Sequence, residues 1–389
     1  MSKSNKVIKF FYLYAVFSNL LLFLPVLLMI YTKRNITSSD MLLIEACYYF
    51  TIFLFEIPTG FIGDKIGHDK LVVLGLIGTT VSYVIFAFSF NLVMIIISQV
   101  LLGIFGSCIS GSDYSSLATY LEKKGEKDGM EYQNKLYRLT TIGTLISFVF
   151  SGIVYKLDSK GKLTFLITAC TYLLSTIAYI VFVVYKKKSI GDIENESINE
   201  EEKTFSISTF ESTSIDKDVI ICGVLIGILS GSYVVSQIFY NNLKIDAYYI
   251  GVLYCLSNVV TIIFNKLNFK FNKTLMFLMP LMYLTTIFNN KIALFLFILI
   301  VSLIKSKVKP FINNYVLTHS KNNKAYNMSF VSFIYNIMNA IFMVSLSRII
   351  YFFGFKVGMI GITILTFLLL IYLYEKSSTS YKMELMKEM

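Results

Sequence analysis

Acidic and basic side chains set inside long apolar runs can bind protons, pair across a helix seam or hold a charged ligand. This chain has few enough of them to name. Glu45 and Glu56 fall within one apolar run, Asp113 near the end of another and Arg348 within a third. An acid surrounded by lipid costs on the order of 3 kcal/mol or more, so each needs a partner, a proton or a route to water. The densest group is GFIGDKIGHDK, residues 60–70, where Asp64, Lys65, His68, Asp69 and Lys70 are threaded by Gly60, Gly63 and Gly67. No H-E-x-x-H, G-x-S-x-G or P-loop pattern is present, which argues against an enzyme. His68 and His319 are isolated. Cys47, Cys108, Cys170, Cys222 and Cys255 lie in apolar runs without metal spacing, so no metal and no cofactor is expected.

The elements that must position these residues follow from composition. Of 389 residues, 56% are hydrophobic and 15% charged, with a mean hydropathy of +0.67. Soluble domains carry about 25% charged residues, and a soluble chain of this length could not hide so much apolar surface. The expectation is an all-α membrane protein in a lipid bilayer. A spanning helix needs about 20 apolar residues. That rule places twelve transmembrane helices, near 10–31, 41–61, 70–90, 92–114, 136–156, 163–185, 218–240, 247–265, 274–289, 291–309, 326–350 and 357–374. Trp is absent, so the 27 tyrosines must supply any interfacial aromatic belt.

Orientation follows from the basic residues. With the N-terminus inside, 26 of the 35 Lys and Arg fall on the inner side, so both termini are expected in the cytoplasm. The net charge of +11 is mostly this bias and calls for no nucleic acid. The polar stretch 186–217 opens with Lys186, Lys187 and Lys188, expected at the lipid headgroups, and continues rich in Glu. It divides the chain into an N-terminal six-helix bundle (1–187), a cytoplasmic linker (188–217) and a C-terminal six-helix bundle with a short cytoplasmic tail (218–389). A two-bundle plan suggests related halves. The counterpart of the 60–70 turn would be FNKLNFKFNK, residues 264–273, where Asn265 and Lys266 stand in place of Asp64 and Lys65.

Twelve helices, a central cytoplasmic loop and the pattern Gly60, Asp64, Lys65, Gly67, Lys70 in the loop after the second helix resemble the major facilitator superfamily. FEIPTG (55–60) and SGSD (110–113) resemble a bacterial subgroup of efflux permeases of uncertain substrate. The resemblance implies two pseudo-symmetric bundles in a bacterial plasma membrane, working as a monomer. They would move a small, amphipathic molecule by alternating access, with proton-coupled efflux as the leading direction. A solute importer or facilitator of the same fold, and a non-transporting sensor or assembly protein, are the alternatives. Two features depart from the superfamily's drug:proton antiporters: Gln99 stands near the usual helix-4 arginine, and GTLISFVFSG (143–152) lacks a glycine-proline kink.

The resemblance further implies that Asp64 meets the start of helix 11, near 326–329, when the cytoplasmic side closes, so that the turn acts as a latch. Lys65 and Lys70 would hold phosphates or the other half. Glu45, Glu56, Asp113 and Arg348 are candidates for proton coupling or interdomain pairing. Helices 1, 4, 7 and 10 would line the cavity, with Asn19, Phe23, Gln99, Phe105, Tyr233 and Gln237 as its candidate residues. An aromatic lining of that kind suits a hydrophobic or amphipathic ligand. Gly223, Gly227 and Gly231 form a small-residue stripe, as do Gly143, Ser147 and Ser151; packing inside the bundle is the expected use.

Overall fold

The computed structural model describes residues 3–124, 129–194, 217–267, 273–319 and 324–379. Every regular element among them is helical. In chain order these are α1 (Lys3–Ser18), α2 (Leu27–Lys33), α3 (Ser38–Ile66), α4 (His68–Phe88), α5 (Leu92–Ile109), α6 (Ser112–Lys123), α7 (Gly129–Leu157) and α8 (Lys162–Glu194). Then follow α9 (Lys217–Asn242), α10 (Ala247–Lys266), α11 (Lys273–Met276), α12 (Leu278–Thr285), α13 (Lys291–His319) and α14 (Lys324–Thr379). Eight of the described helices are long and apolar enough to cross a membrane, with Val331–Tyr372 counted as one.

The surface is the reverse of a soluble protein's. α4 exposes Leu74, Ile77, Val81, Val84 and Phe88 at helical spacing, and buries Gly75, Gly78, Thr79 and Ser82. Small and polar residues join Leu76, Tyr83 and Phe86 against neighbouring helices while a second bulky apolar face points out, a pattern only lipid solvates. The glycine stripe of α9 packs on α14: Gly223 faces Ile334, Gly227 faces Met338 and Gly231 faces Phe342.

Three departures from the expected spans have local causes. The helix expected over 10–31 is broken between Ser18 and Leu24. Ser18 Oγ and Asn19 Nδ2 both donate to the Ala15 carbonyl, at 3.1 and 2.8 Å, and so compete with the backbone ladder. Pro25 then lacks the N–H that would rejoin it. The helix expected over 92–114 is interrupted at Ser110–Gly111, with Gly111 at φ 75°. The helices expected over 326–350 and 357–374 are α14, turned at Gly354 (φ 83°, ψ 168°). Leu346 Cδ1 lies 3.2 Å from where a Gly358 Cβ would sit. A straight helix would hold those residues about 18 Å apart, so the chain doubles back.

Two seams join the first half of the sequence to the second: α3 packs along α14, and α7 along α10. At the second, backbones approach until a Cβ on Gly152 or Gly251 would strike Tyr248 or Phe148. The bundle has two ends. One carries Arg34, Leu157 and Asp246; the other carries Asp64 and the close of α8. Of the expected linker, 195–216 lies outside the described residues, as do 268–272 of the second-half turn.

Candidate functional site

The stretch 60–70 is almost entirely helix. α3 starts on a capping box, in which the Thr37 side chain accepts from Asp40 N and the Asp40 carboxylate accepts from Thr37 N. It then runs through the expected loop to Ile66. Gly67, at φ 91°, is the whole turn, with its N–H donating to Gly63 O at 2.8 Å before α4 begins at His68. That left-handed φ is why a glycine stands there. Gly60, Lys65 and Lys70 are exposed. Asp64 lies 3.4 Å from His68 Nε2, and His68 Nδ1 is 3.2 Å from Ser112 Oγ on α6. The side chains of 326–329, the expected latch partner, lie outside the described residues.

Asp69, one residue on, is anchored more firmly. Both its oxygens accept from Lys186 Nζ at 2.9 Å, and its Oδ1 accepts from Ser116 Oγ. Lys186 also donates to Ser116 Oγ at 2.9 Å and is only 8% exposed. The expectation that the triplet 186–188 sits at the headgroups is corrected for Lys186: α8 continues through the triplet and turns this residue inward, where Asp69 and Ser116 satisfy its ammonium. The sequence names both Asp69 and Lys186 but gives no reason to pair them. The one available signal was an acid at the N-terminus of a helix, where the macrodipole favours it.

The mid-bundle site gathers around Glu45. Gln99 Nε2 donates to its Oε1 at 3.2 Å, joining α5 to α3. Tyr31, Tyr48, Tyr49, Tyr83, Tyr233 and Tyr335 all lie within electrostatic reach of the carboxylate. They come from α2, α3, α4, α9 and α14, so both halves of the sequence contribute. Glu45 keeps part of its surface accessible although helices surround it. Gln99 and Tyr233 were expected at the cavity and meet here. The ring of tyrosines was not foreseen, because residues scattered from 31 to 335 over five helices carry no pattern along the chain.

The model of the Major Facilitator Superfamily matches residues 10–302. The chain belongs to the major facilitator superfamily. Similar solved structures include that of the nucleoside transporter NupG, 11% identical over 98% of this chain and 100% of that one, with a TM-score of 0.71. A POT family transporter in complex with a thioalcohol-conjugated peptide is 13% identical, covering 96% of each chain, with a TM-score of 0.67. The human organic anion transporter TETRAN is 14% identical over 95% of this chain and 100% of that one, with a TM-score of 0.59. Among curated protein sequences, none matches.

In this major facilitator chain the other expected residues divide between seams and core. Glu56 Oε2 accepts from Asn336 Nδ2 on α14 at 3.5 Å, with Ser332 beside it. Asp113 stands in the first turn of α6, accepting from Tyr14 Oη at 2.9 Å and from Tyr114 N at 2.8 Å. Arg348 is exposed on α14. Phe23 is buried between Tyr83 and Phe165, with ring centroids 5.5 and 5.2 Å away, and Phe105 fills the space over Gly78. Both pack helices together. Asn19 caps the broken first helix. Gln237 Oε1 accepts from Leu28 N at 3.1 Å, satisfying a donor that the break at Pro25 leaves open. Arg34, unremarked in the sequence, is 5% exposed. Its Nε and Nη1 donate to the carbonyls of Lys160, Phe86 and Ser89, at 2.8, 2.9 and 2.5 Å.

Proposed function

We propose that this chain is a secondary transporter of twelve spans, arranged as two six-helix bundles, that exchanges a small amphipathic molecule for protons across the plasma membrane, in the export direction. The observation that carries the reading is the position of Glu45: one accessible carboxylate, hydrogen-bonded by Gln99, where α2, α3, α4, α5, α9 and α14 converge. A group there can take up either a proton or a ligand, and movement of α3 against α14 would carry it from one face of the membrane to the other. On this reading both termini are cytoplasmic, the Asp64 end faces the cytoplasm, and the Arg34 end is the outer end. The turn at 60–70 is then the latch, with Asp64 leaving His68 to meet the start of α14 when the cytoplasmic side closes.

The aromatic wall and single acid favour an amphipathic ligand over a sugar or a polyanion. The substrates in the neighbours' names, nucleosides and a peptide conjugate, belong to those proteins. The test begins with a thermal-shift screen of purified protein against amphiphiles of each charge, followed by reconstitution of the protein with the hits. Imposing a pH gradient on proteoliposomes should drive accumulation of a hit, and Glu45→Gln should abolish that accumulation. Equal gradient-driven uptake by the wild type and Glu45→Gln would remove proton coupling through this residue.

A further inference from the structure

The charges around Glu45 point to a substrate class, an inference that rests on the transport reading of the same site. Among the described residues the ion pairs are Asp64–His68, Lys156–Asp246 and Lys186–Asp69, all at the ends of the bundle. Glu45 has only the neutral amide of Gln99. A carboxylate held away from bulk water without a counter-charge is costly, by several kcal/mol in proteins generally. Among the described residues the groups within reach of it are neutral: Gln99 from α5, and the tyrosines from α2, α3, α4, α9 and α14. Two of these, Tyr31 and Tyr233, bury hydroxyls that make no well-formed hydrogen bond, with Gln99 beside the first and Tyr254 beside the second, and Tyr31 is fully enclosed. Buried polar groups left unpartnered call for a ligand or water. Tyrosine faces attract cations, each by roughly 0.5 to 2 kcal/mol. The site therefore supplies a negative charge, aromatic faces and spare hydroxyls, and lacks only the positive charge.

We propose that the substrate is a hydrophobic organic cation, with Glu45 as its counter-charge and the tyrosines as its cage. With the site empty, a proton on Glu45 neutralises it. Cation binding releases that proton to water, so one positive charge replaces another at the carboxylate, and proton and substrate exclude each other.

The test uses full-length protein in nanodiscs, with tetraphenylphosphonium and its near-isosteric anion tetraphenylborate as probes and empty nanodiscs to subtract lipid partitioning. Calorimetry in buffers of different ionisation enthalpy should show saturable binding of the cation with release of one proton, and no saturable binding of the anion. Glu45→Gln should weaken cation binding by about tenfold or more. The wild type gives a second readout: saturating cation should slow carbodiimide labelling of Glu45. The proposal is overturned if the anion binds as well as the cation, or if folded Glu45→Gln keeps its cation affinity within about twofold. Should that variant misfold, labelling unchanged by the cation overturns the proposal in its place. Glu45-dependent cation binding with no movement of the cation in proteoliposomes would uphold the cation site and remove the transport reading. Movement of neutral or anionic probes alone would do the reverse.

Discussion

The two ends of the bundle are held in different ways. At the Asp64 end the contacts of residues 64–69 stay within the first half of the sequence: Asp64 with His68, His68 with Ser112, and Asp69 with Lys186 and Ser116. Glu56, about two turns further back along α3, is the acid that reaches Asn336 of the second half. At the Arg34 end the contacts cross between halves. Ser39 and Ser347 exchange hydroxyl-to-carbonyl bonds at 2.8 Å in both directions, Gln237 accepts from Leu28 N, and Lys156 meets Asp246 at 3.0 Å. The charges of the first end thus brace one half internally, while two serines, a glutamine and one exposed ion pair join the two halves. Breaking contacts at the first end should cost stability; breaking contacts at the second should change which conformation is populated.

The largest effect is expected from Lys186→Met. It leaves Asp69 half enclosed with only Ser116, and removing one partner of a buried pair costs about 3 kcal/mol or more. Thermal unfolding in detergent should fall sharply, and adding Asp69→Asn should recover much of the loss. Spin-label distances between the halves should stay put. If those distances move while stability holds, the division between the two ends is wrong.

Arg34→Gln should come next, at about 2 kcal/mol, because three carbonyls lose a charged donor. Arg34 bonds only within the first half, so it tests whether the Arg34 end combines an internal brace with cross-half contacts. The expected signature is lower stability with unchanged distances between α3 and α14. Ser39→Ala with Ser347→Ala should do the opposite. Two buried reciprocal bonds at about 1 kcal/mol each amount to roughly thirtyfold in a two-state population. Double electron–electron resonance across the Arg34 end should then show a new, longer distance, with the melting temperature little changed. A single unchanged distance would count against these bonds as the closure.

These contacts differ in how far the chain announces them. The membrane class, the family and the charged turn are legible because each is a local pattern: apolar runs of spanning length, and five motif positions within eleven residues. Glu45 and Gln99 are legible as polar residues inside such runs. Their meeting is not, since 54 positions separate them and only the packing of α3 on α5 makes them neighbours. Lys186 was misread for a related reason. Three lysines after an apolar run look alike, and only helix phase selects the one that turns inward. The break in the first helix could have been read from Asn19 and Pro25, whose competition with the backbone is local. Gln237 as its remote repair could not.

The smallest effect is expected from Lys156 and Asp246, which are 57% and 48% exposed. Surface pairs contribute between nothing and about 1 kcal/mol, so Lys156→Gln should shift the closed population by about fivefold at most. Its pH dependence has a definite sign. The Tyr248 backbone N–H, together with Lys156, holds the Asp246 carboxyl below its usual range. A depressed acid keeps its contribution above the ordinary carboxylate value and loses it as pH falls through the lowered one. Between about pH 5 and pH 8 the carboxylate stays ionised, so Arg34-end distances in Glu45→Gln protein should not change across that window. Wild-type distances that do change there would then report the proton on Glu45, and the surface pair would be excluded as their cause. A pH-dependent distance in Glu45→Gln that disappears with Asp246→Asn would make the outer pair the sensor instead.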